Sequence, residues 1–273
     1  MSDQTVSATL NYLVPTGERP IYVASRGGAD AALDISAEFA AHEVSIGDAR
    51  SLPQPPTLDS EGFELRLQTT TVEDFYAPRD SWQARYEAEL RELMLEATGA
   101  TDIEIFDHTL RSDSSSVRGD RSTREPATVI HNDYTDGSAA RRLRDLLPPE
   151  RAEHWAAGRF AIVNAWRTIA GPVLTTPLAC CDAATLDDGD LIASERRAEE
   201  RVGELELVRW NPAHRWLYFP AMTADEVLLI KTFDAALDGR ARRSVHSAFD
   251  NPRAAADAAP RESIESRAIL FFG

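Results

Sequence analysis

Residues 127–137 read ATVIHNDYTDG, and the short apolar run at their start leads directly into His131, Asn132 and Asp133. On extended backbone, successive side chains point to opposite faces, so residues two apart share a face. The imidazole of His131 and the carboxylate of Asp133 can therefore reach one metal ion. This pair predicts a metal site on a β-strand, around which the rest of the chain is organised.

A second histidine, His246, lies far downstream in another extended-looking run, SVHSAF at residues 244–249. Two histidines and one carboxylate on one face of a metal, with the opposite face open, are the ligand set of non-haem Fe(II) oxygenases. We therefore predict that His131, Asp133 and His246 bind Fe(II) and form the catalytic centre. The strongest rival ligand is His108, which follows Asp107 in a predicted strand. A metal bound by His108 would exclude this assignment.

The composition limits the possible partners. The chain has 273 residues, of which 43% are hydrophobic, and a formal net charge of −16. Such strong negative charge disfavours nucleic acid and anionic membranes as partners. The only cysteines are the adjacent Cys180 and Cys181, which suggest neither a disulfide framework nor a zinc site. There is no signal-like N-terminal segment and no run long enough to cross a bilayer. We expect a cytoplasmic enzyme that acts on a small molecule.

The order of predicted elements favours a mainly β protein with flanking helices. Apolar spacing predicts a helix over residues 81–98, ended by Gly99, and alternation predicts a strand over 102–110. From residue 160 onward, short apolar runs separated by turn residues indicate an antiparallel barrel or sandwich. We expect one domain over residues 1–273. Residues 126–273 would form a jelly-roll core of the cupin type, a double-stranded β-helix, with helices and strands of residues 1–125 packed on it.

Two stretches before the metal-bearing strand carry weaker predictions. Residues 71–75 are expected to begin a helical region. Residues 111–125, RSDSSSVRGDRSTRE, are polar and rich in serine and arginine. We interpret this second stretch as a flexible loop, either a lid over the site or a plain surface loop.

Iron oxygenases of this kind use 2-oxoglutarate as a co-substrate, and its far carboxylate needs a cation in a partly dry pocket. Arg261 and Ser263 form an Arg-x-Ser pattern in which the hydroxyl could share that carboxylate. Arg267 opens a strongly apolar strand, where an arginine must be paired or bound to a ligand. Arg267 is slightly favoured as the anchor, and at least one of the two arginines is expected to be structural.

Other polar residues lie inside apolar runs. Asn164 could hydrogen-bond the oxo-acid end of the co-substrate, and Tyr218 could contact either small ligand or simply pack. Lys231 is an alternative anchor, although a salt bridge to Asp234 is the simpler interpretation. Aromatic candidates for a substrate-pocket wall are Trp82, Phe106, Tyr134, Trp166 and Trp216.

Several strings in this chain resemble the gibberellin-desaturase-like family. That family includes the cephalosporin 7-alpha-methoxylation hydroxylase component and many oxygenases of fungal and bacterial secondary metabolism. The strings are NAWRTI at 164–169, GP at 171–172, PLA at 177–179, YFP at 218–220, KTFD at 231–234, HSAF at 246–249 and PRESIESR at 260–267.

The resemblance implies a double-stranded β-helix, Fe(II) bound by His131, Asp133 and His246, and 2-oxoglutarate held near Arg261 or Arg267. It also implies hydroxylation or desaturation of an unactivated C–H bond in a small, secondary metabolite. O2 would be consumed, and succinate and CO2 released.

Two other functions stay open. A cupin-type metal enzyme that does not use 2-oxoglutarate would share the fold, but it usually carries more histidines close to the first ligand, and here only His131 lies in that region. A non-catalytic jelly-roll binding protein would have lost its metal. The intact set of His131, Asp133 and His246 argues against that function.

Overall fold

The computed structural model describes residues 5–199 and 201–273; the first four residues of the N-terminal segment and Glu200 lie outside the described residues. The strands are β1 (Thr5–Val14), β2 (Ile21–Val23), β3 (Asp34–Ile35), β4 (Glu38–Asp48), β5 (Phe63–Leu67), β6 (Asp102–Ser112), β7 (His131–Asn132), β8 (Arg159–Thr168), β9 (Leu178–Cys181), β10 (Leu191–Arg197), β11 (Val202–Val208), β12 (Trp216–Tyr218), β13 (Glu226–Asp234), β14 (His246–Ala248) and β15 (Glu262–Phe272). The helices are α1 (Gln83–Thr98), α2 (Ser115–Arg121), α3 (Asp136–Leu146) and α4 (Pro149–Ala156), with short 3₁₀ turns at Ala49–Ser51, Arg79–Ser81, Ala183–Thr185 and Asp188–Asp190.

Within the described residues, the strands form a ten-stranded and a five-stranded sheet. The smaller sheet has the order β5-β13-β8-β15-β6, and its neighbours are antiparallel. Strands β12, β9, β14 and β7 lie side by side in the larger sheet. The chain alternates between the two sheets from β6 to β9 and again from β12 to β15. This path is the predicted jelly roll, a double-stranded β-helix.

The core of the roll lies between the inner faces of the two sheets. Trp166, Leu228 and Ile230 from the five-stranded sheet pack with Cys180 and Leu217 from the facing sheet, and all five are buried. Buried strands of this kind read as nearly continuous apolar runs, which is why the sequence located them.

The N-terminal strands extend the larger sheet and curl it back on itself. Strand β1 pairs along its whole length with β4, and β4 pairs with β12. Asn11 in β1 then bridges to Val129, just before β7. The curled sheet encloses a second apolar core that contains Tyr12 and Trp216. Strands β1 to β4 are therefore part of the sheet that carries β7 and β14.

Helix α1 covers the outer face of the smaller sheet. Tyr86, Leu90 and Met94 recur at helical spacing and are buried against residues of that sheet, including Ile264. Gly99 ends the helix with a φ of 68°, a left-handed conformation that glycine adopts without strain. No helix in the described part of the chain has the length and apolar character needed to cross a membrane.

Two sequence-based boundaries need correction. The roll begins at Asp102 rather than at residue 126, because β6 pairs along most of its length with β15. Residues 71–75 form turns and bends, and the α-helix begins only at Gln83. The side chains of Thr70 and Thr71 hydrogen-bond the carboxylate of Glu89, which fixes the segment against α1 in a non-helical path.

The stretch 111–125 is ordered, contrary to the flexible loop expected. It contains helix α2, whose first turn is capped by the Ser114 hydroxyl. The backbone amide of Ser112 donates to the carbonyl of Arg124, and the amide of Arg124 donates to Leu110. Arg118 donates to the carbonyls of Ser112 and Asp113. Sequence reasoning could not find these backbone and side-chain hydrogen bonds, because they depend on which segments lie beside each other in the fold.

Replacing Leu90 by alanine should lower the free energy of unfolding by about 2–5 kcal/mol, since Leu90 is fully buried under α1 and the substitution leaves a cavity. Urea unfolding curves measure this change. Glu92→Ala, on the exposed side of the same helix, is the matched control and should leave the curve nearly unchanged. Equal losses in both variants would contradict the placement of α1.

Candidate active site

His131 and His246 face each other across two adjacent strands. They form a direct antiparallel pair between β7 and β14, and their ring centroids lie 4.5 Å apart at 52°. Both side chains are buried. Because directly opposed residues in a ladder share one face of the sheet, both imidazoles lie on the same side. Tertiary structure thus unites two histidines that are distant in sequence.

Asp133 lies beside this pair, with its two oxygens in different surroundings. Oδ1 is 3.8 Å from Nε2 of His131. Oδ2 accepts hydrogen bonds from Nδ2 of Asn164 at 2.7 Å and from Nε of Arg267 at 3.0 Å. One oxygen is therefore held in place while the other faces the histidine. Carboxylates that ligate metals are commonly oriented in this way by a second hydrogen-bonded group.

The donor set fits Fe(II). Nδ1 of His131 donates to the carbonyl of Val129 at 2.9 Å, which leaves the lone pair on Nε2, the nitrogen nearest Asp133. Nδ1 of His246 is buried and has no hydrogen-bond partner within the described residues. Two imidazoles and one carboxylate are the facial donor set of non-haem iron.

The spacing of these donors is somewhat wider than a bound metal requires. Among the described residues, no group of three or more His, Cys, Asp or Glu side chains stands at ligand spacing. Two ligands that share an ion at about 2.1 Å each lie roughly 3 Å apart. The 3.8 Å between Nε2 of His131 and Oδ1 of Asp133 would therefore contract by under about 1 Å on metal binding.

Electrostatics keep the donors in the protonation states that a metal needs. Burial, together with the neighbouring His246, lowers the pKa of His131 to about 4. Burial opposes the ionisation of Asp133, but the Arg267 guanidinium and the two imidazoles outweigh it and hold the pKa of Asp133 well below its usual range. Because metal ligands must be deprotonated, a neutral His131 and an ionised Asp133 are ready to bind at physiological pH.

Arg267 is surrounded by carboxylates. Its Nε donates to Asp133, its Nη1 to Asp107 at 2.7 Å and its Nη2 to Glu265 at 2.6 Å. Burial alone would lower the pKa of Arg267, but these carboxylates raise it well above its ordinary value. Every guanidinium nitrogen is already engaged, so the geometry does not favour Arg267 as the anchor for a ligand carboxylate.

Arg261 has the opposite environment. It is buried, its Nη1 donates to the carbonyl of Thr176 at 2.6 Å, and its guanidinium lies 5.6 Å from the centre of the Trp166 ring. Nε of Arg261 and the hydroxyl of Ser263 are buried without partners in the described chain. Burial and the nearby Arg111 lower the pKa of Arg261 to about 10, so it is still charged at neutral pH. A buried cation next to an unpartnered hydroxyl is a site for an anion.

The other two predicted binding residues, Asn164 and Tyr218, lie in different parts of the structure. Asn164 lies at the site, where its Nδ2 also donates to Glu265 at 2.9 Å, and its Oδ1 is buried and unpartnered within the described residues. Tyr218 is not brought to the site. It pairs with Ala179, which in turn pairs with Ser247, so Tyr218 points away from the face of His246 and packs edge-on against Phe249.

The remaining histidines and Lys231 are engaged elsewhere. His108 lies under α1, with Nδ1 bonded to Ser266 at 2.7 Å and Nε2 to Glu87 at 3.0 Å, so it is not a rival ligand. The side chain of His214 is buried and bonds Asp190 at 3.1 Å. Lys231 forms the predicted salt bridge to Asp234 at 3.1 Å. The two cysteines are free and buried.

A narrow polar cavity opens beside Asp133. It consists of two pockets that share Asp133, Arg196 and Arg267. The outer part has a volume of about 60 Å³ and includes Phe106 and Tyr134, two of the predicted aromatic wall residues. The inner part has a volume of about 20 Å³. Trp82 and Trp216 lie in separate apolar cores. Arg124 and Arg196 also line the space around Asp133, and sequence reasoning missed both. Their only sequence signal was an excess of arginine in segments that read as surface.

Comparisons with known proteins cover nearly the whole chain. A family model described as an oxidoreductase/YMDC permease-like domain matches residues 10–271, which include all three candidate ligands. Hydroxylase/desaturase efuI of Hormonema carpetanum is 30% identical over 98% of this chain and 95% of its own length. The Fe(II)/2-oxoglutarate-dependent dioxygenase nvfI of Aspergillus novofumigatus (strain IBT 16806) is 30% identical over 85% of this chain and 84% of its own length.

A solved structure, titled iron and alpha-ketoglutarate-dependent endoperoxidase NvfI with different conformation, aligns over 100% of both chains. Its TM-score is 0.83 and its sequence identity is 25%. The similarity therefore includes both sheets of the roll and the N-terminal strands that curl the larger sheet.

Acidification should destabilise the protein through His108. Burial lowers the pKa of His108 below its ordinary value of 6.5, so the unfolded chain takes up the proton first as the pH falls. The stability from neutral His108 is thus fully present above about pH 6.5 and is lost as the pH falls toward the folded-state pKa, by at most about 1.4 kcal/mol per pH unit.

Urea unfolding at pH 7 and pH 5 measures this dependence. The His108→Gln variant should be less stable than the native chain at pH 7 and should lose less on acidification. His154→Gln, at an exposed position of α4, is the control and should keep the native pH dependence. If His108→Gln lost as much stability between pH 7 and pH 5 as the native chain does, His108 would not be the source of this pH dependence.

Proposed function

This chain belongs to the Fe(II)/2-oxoglutarate-dependent oxygenases, the family of hydroxylases, desaturases and dioxygenases that it matches, and we propose that His131, Asp133 and His246 bind its iron. The enzyme uses O2 and 2-oxoglutarate and acts on a small molecule of secondary metabolism. The residue assignment rests on one observation, the cross-strand pair of His131 and His246 with Oδ1 of Asp133 beside it. When bound, iron supplies the activation of O2, with 2-oxoglutarate oxidised to succinate and CO2.

The protein's contribution begins with orienting the ligands. The carbonyl of Val129 fixes the tautomer and the ring plane of His131. Asn164 and Arg267 hold Oδ2 of Asp133, so that Oδ1 is presented to the metal. In this proposal both are positioning residues that keep the carboxylate ionised and correctly turned. His131, Asp133 and His246 would hold the metal from one side and leave room beside it for the co-substrate.

Arg261 and Ser263 bind the far carboxylate of 2-oxoglutarate in this proposal. The support is that both are buried, that Nε of Arg261 and the hydroxyl of Ser263 lack partners within the described residues, and that Trp166 shields the guanidinium from water. Arginine offers a planar pair of donors that matches a carboxylate, and a dry pocket strengthens the interaction. Arg267 is the less suitable anchor, because three carboxylates already occupy it.

The two alternative functions have less support. A cupin-type centre needs further histidines near the first ligand, but His108 and His214 are hydrogen-bonded elsewhere. A binding protein without metal would not need a neutral His131 and an ionised Asp133 held side by side at a cost in desolvation.

Four finer assignments are part of the same proposal. The strings quoted from residues 164–267 support membership of the gibberellin-desaturase-like group that includes the cephalosporin 7-alpha-methoxylation component. The chain works as one domain, since β1 and β4 share a sheet with β14 and β7. The free, buried cysteines suit a reducing cytoplasm. The reaction is hydroxylation or desaturation of a C–H bond held against Phe106 and Tyr134.

Anaerobic titration with Fe(II) should reveal one site, and added 2-oxoglutarate should then produce the weak visible charge-transfer band of its iron chelate. His131→Ala and His246→Ala should each abolish the band, because each removes one of three ligands. His154→Ala, exposed on α4, is the matched control and should retain it. A band of native intensity in either ligand variant would refute the metal assignment.

Arg261→Gln should weaken 2-oxoglutarate binding to the iron-loaded protein by about 10- to 100-fold, the loss expected for a buried charge-assisted hydrogen bond. Arg267→Gln should instead weaken Fe(II) binding, since it releases Oδ2 of Asp133. Both affinities follow from the same anaerobic titrations. If both changes weakened 2-oxoglutarate binding only slightly and equally, neither arginine would be the anchor, and Lys231 would be the next candidate.

A further inference from the structure

Three arginines around the Asp133 cavity have no carboxylate partner among the described residues. Arg124 and Arg196 are half-buried, and neither side chain takes part in an ion pair or hydrogen bond there. Arg142 lines the outer part of the same space, with a buried, unpartnered Nε and its guanidinium 4.7 Å from the centre of the Phe106 ring. These cations lie where a substrate would approach the metal ligands.

The acidic groups nearby are mostly already paired. Asp107 and Asp133 both bind Arg267. Glu204, at the outer end, forms a salt bridge with Arg19 and accepts a hydrogen bond from Thr135. Glu125 lines the inner part of the cavity without an ion pair in the described chain, and its Oε2 is buried and unpartnered. Three unpaired guanidinium groups therefore share this space with one unpaired carboxylate.

This arrangement is unfavourable as it stands. Burial and then the neighbouring Arg111 and Arg196 lower the pKa of Arg124. Burial and then Arg267 lower the pKa of Arg196. Positively charged guanidinium groups are therefore concentrated at one partly desolvated place, although the formal net charge of the chain is −16. An oxyanion between these guanidinium groups would remove the repulsion and supply the missing hydrogen bonds.

We propose that the substrate of this enzyme carries an oxyanion, a carboxylate or a phosphate, that is bound by Arg124 and Arg196 beside Asp133. The reacting C–H bond then lies on the part of the substrate nearest Asp133, and Phe106 and Tyr134 contact its apolar body. This anion site is separate from Arg261 and Ser263, which hold the co-substrate. The inference rests on the proposed function of His131, Asp133 and His246, because that function makes the cavity a substrate pocket.

Thermal unfolding tests the anion site directly. The chain is saturated with Zn(II) in place of iron and with N-oxalylglycine in place of 2-oxoglutarate, so that the Arg261 subsite is filled. Inorganic phosphate at ten times its dissociation constant should then raise Tm by about 3 °C. Arg124→Gln and Arg196→Gln should abolish this rise, and Arg196→Lys should restore part of it. Arg85→Gln, on the exposed face of α1, is the control and should keep it.

The unfolding temperature of Arg196→Gln without phosphate distinguishes a binding role of Arg196 from a structural one, because removing this guanidinium also removes its repulsion with the neighbouring arginines. Without phosphate, Arg196→Gln should unfold at the same temperature as the native chain or a higher one.

Two pairs of probe molecules identify the anion by calorimetry on the same Zn(II) complex. Naphthalene-1-acetate should bind at least ten times more tightly than naphthalene-1-acetamide if the site takes carboxylates, and 1-naphthyl phosphate more tightly than 1-naphthol if it takes phosphates. Either preference, lost in Arg196→Gln, supports the proposal.

Three results would overturn the proposal. In the first, phosphate does not stabilise the native chain and neither anionic probe is preferred. In the second, phosphate stabilisation survives both glutamine changes, and in the third, Arg196→Gln forms a weaker 2-oxoglutarate chelate. The last result would place Arg196 in the co-substrate subsite. Failure of the function itself is distinguishable, because the native chain would then form no charge-transfer band with Fe(II) and 2-oxoglutarate.

Discussion

The ion pair between Arg267 and Asp133 is the interaction on which the site depends. Arg267 lies on β15, in the five-stranded sheet, whereas Asp133 directly follows β7 in the facing sheet. The same guanidinium also binds Asp107 on β6 and Glu265 on β15. One partly buried cation therefore joins two sheets and balances three carboxylates. Without it, the carboxylate of the proposed metal site would be a largely desolvated anion without a countercharge.

Arg261 is buried, Arg267 is partly buried, and the different partners of these two arginines give them different roles. Arg267 has a carboxylate at every nitrogen, so it has no capacity left for a ligand. Arg261 has a carbonyl, an aromatic ring and an unpartnered hydroxyl around it, so it can take an incoming carboxylate. A buried charge must be compensated. Where carboxylates of the protein compensate the charge, as at Arg267, the arginine is structural. Where no protein carboxylate does so, as at Arg261, the geometry points to an anionic ligand.

The same reasoning distinguishes the inside of the protein from its surface. The chain as a whole is strongly acidic, with a formal net charge of −16. Around Asp133, however, Arg124, Arg142 and Arg196 lack carboxylate partners in the described chain, so unpaired positive groups lie together in a chain of negative net charge. These arginines become informative only because the fold brings them to one cavity.

The sequence by itself determined the roll and the candidate ligand pair on one of its strands. Strands such as β8 and β13 are buried on both faces and read as continuous apolar runs, and the spacing of His131 and Asp133 defines one face of a strand whatever surrounds it. It could not determine which arginine is free, that Tyr218 faces away from His246, that residues 111–125 fold back as an ordered segment, or that β1 and β4 close the larger sheet. Those outcomes depend on strand pairing and on the partners of buried charges. Both are long-range properties, set by contacts between segments that are remote in the chain, and only the tertiary structure decides them.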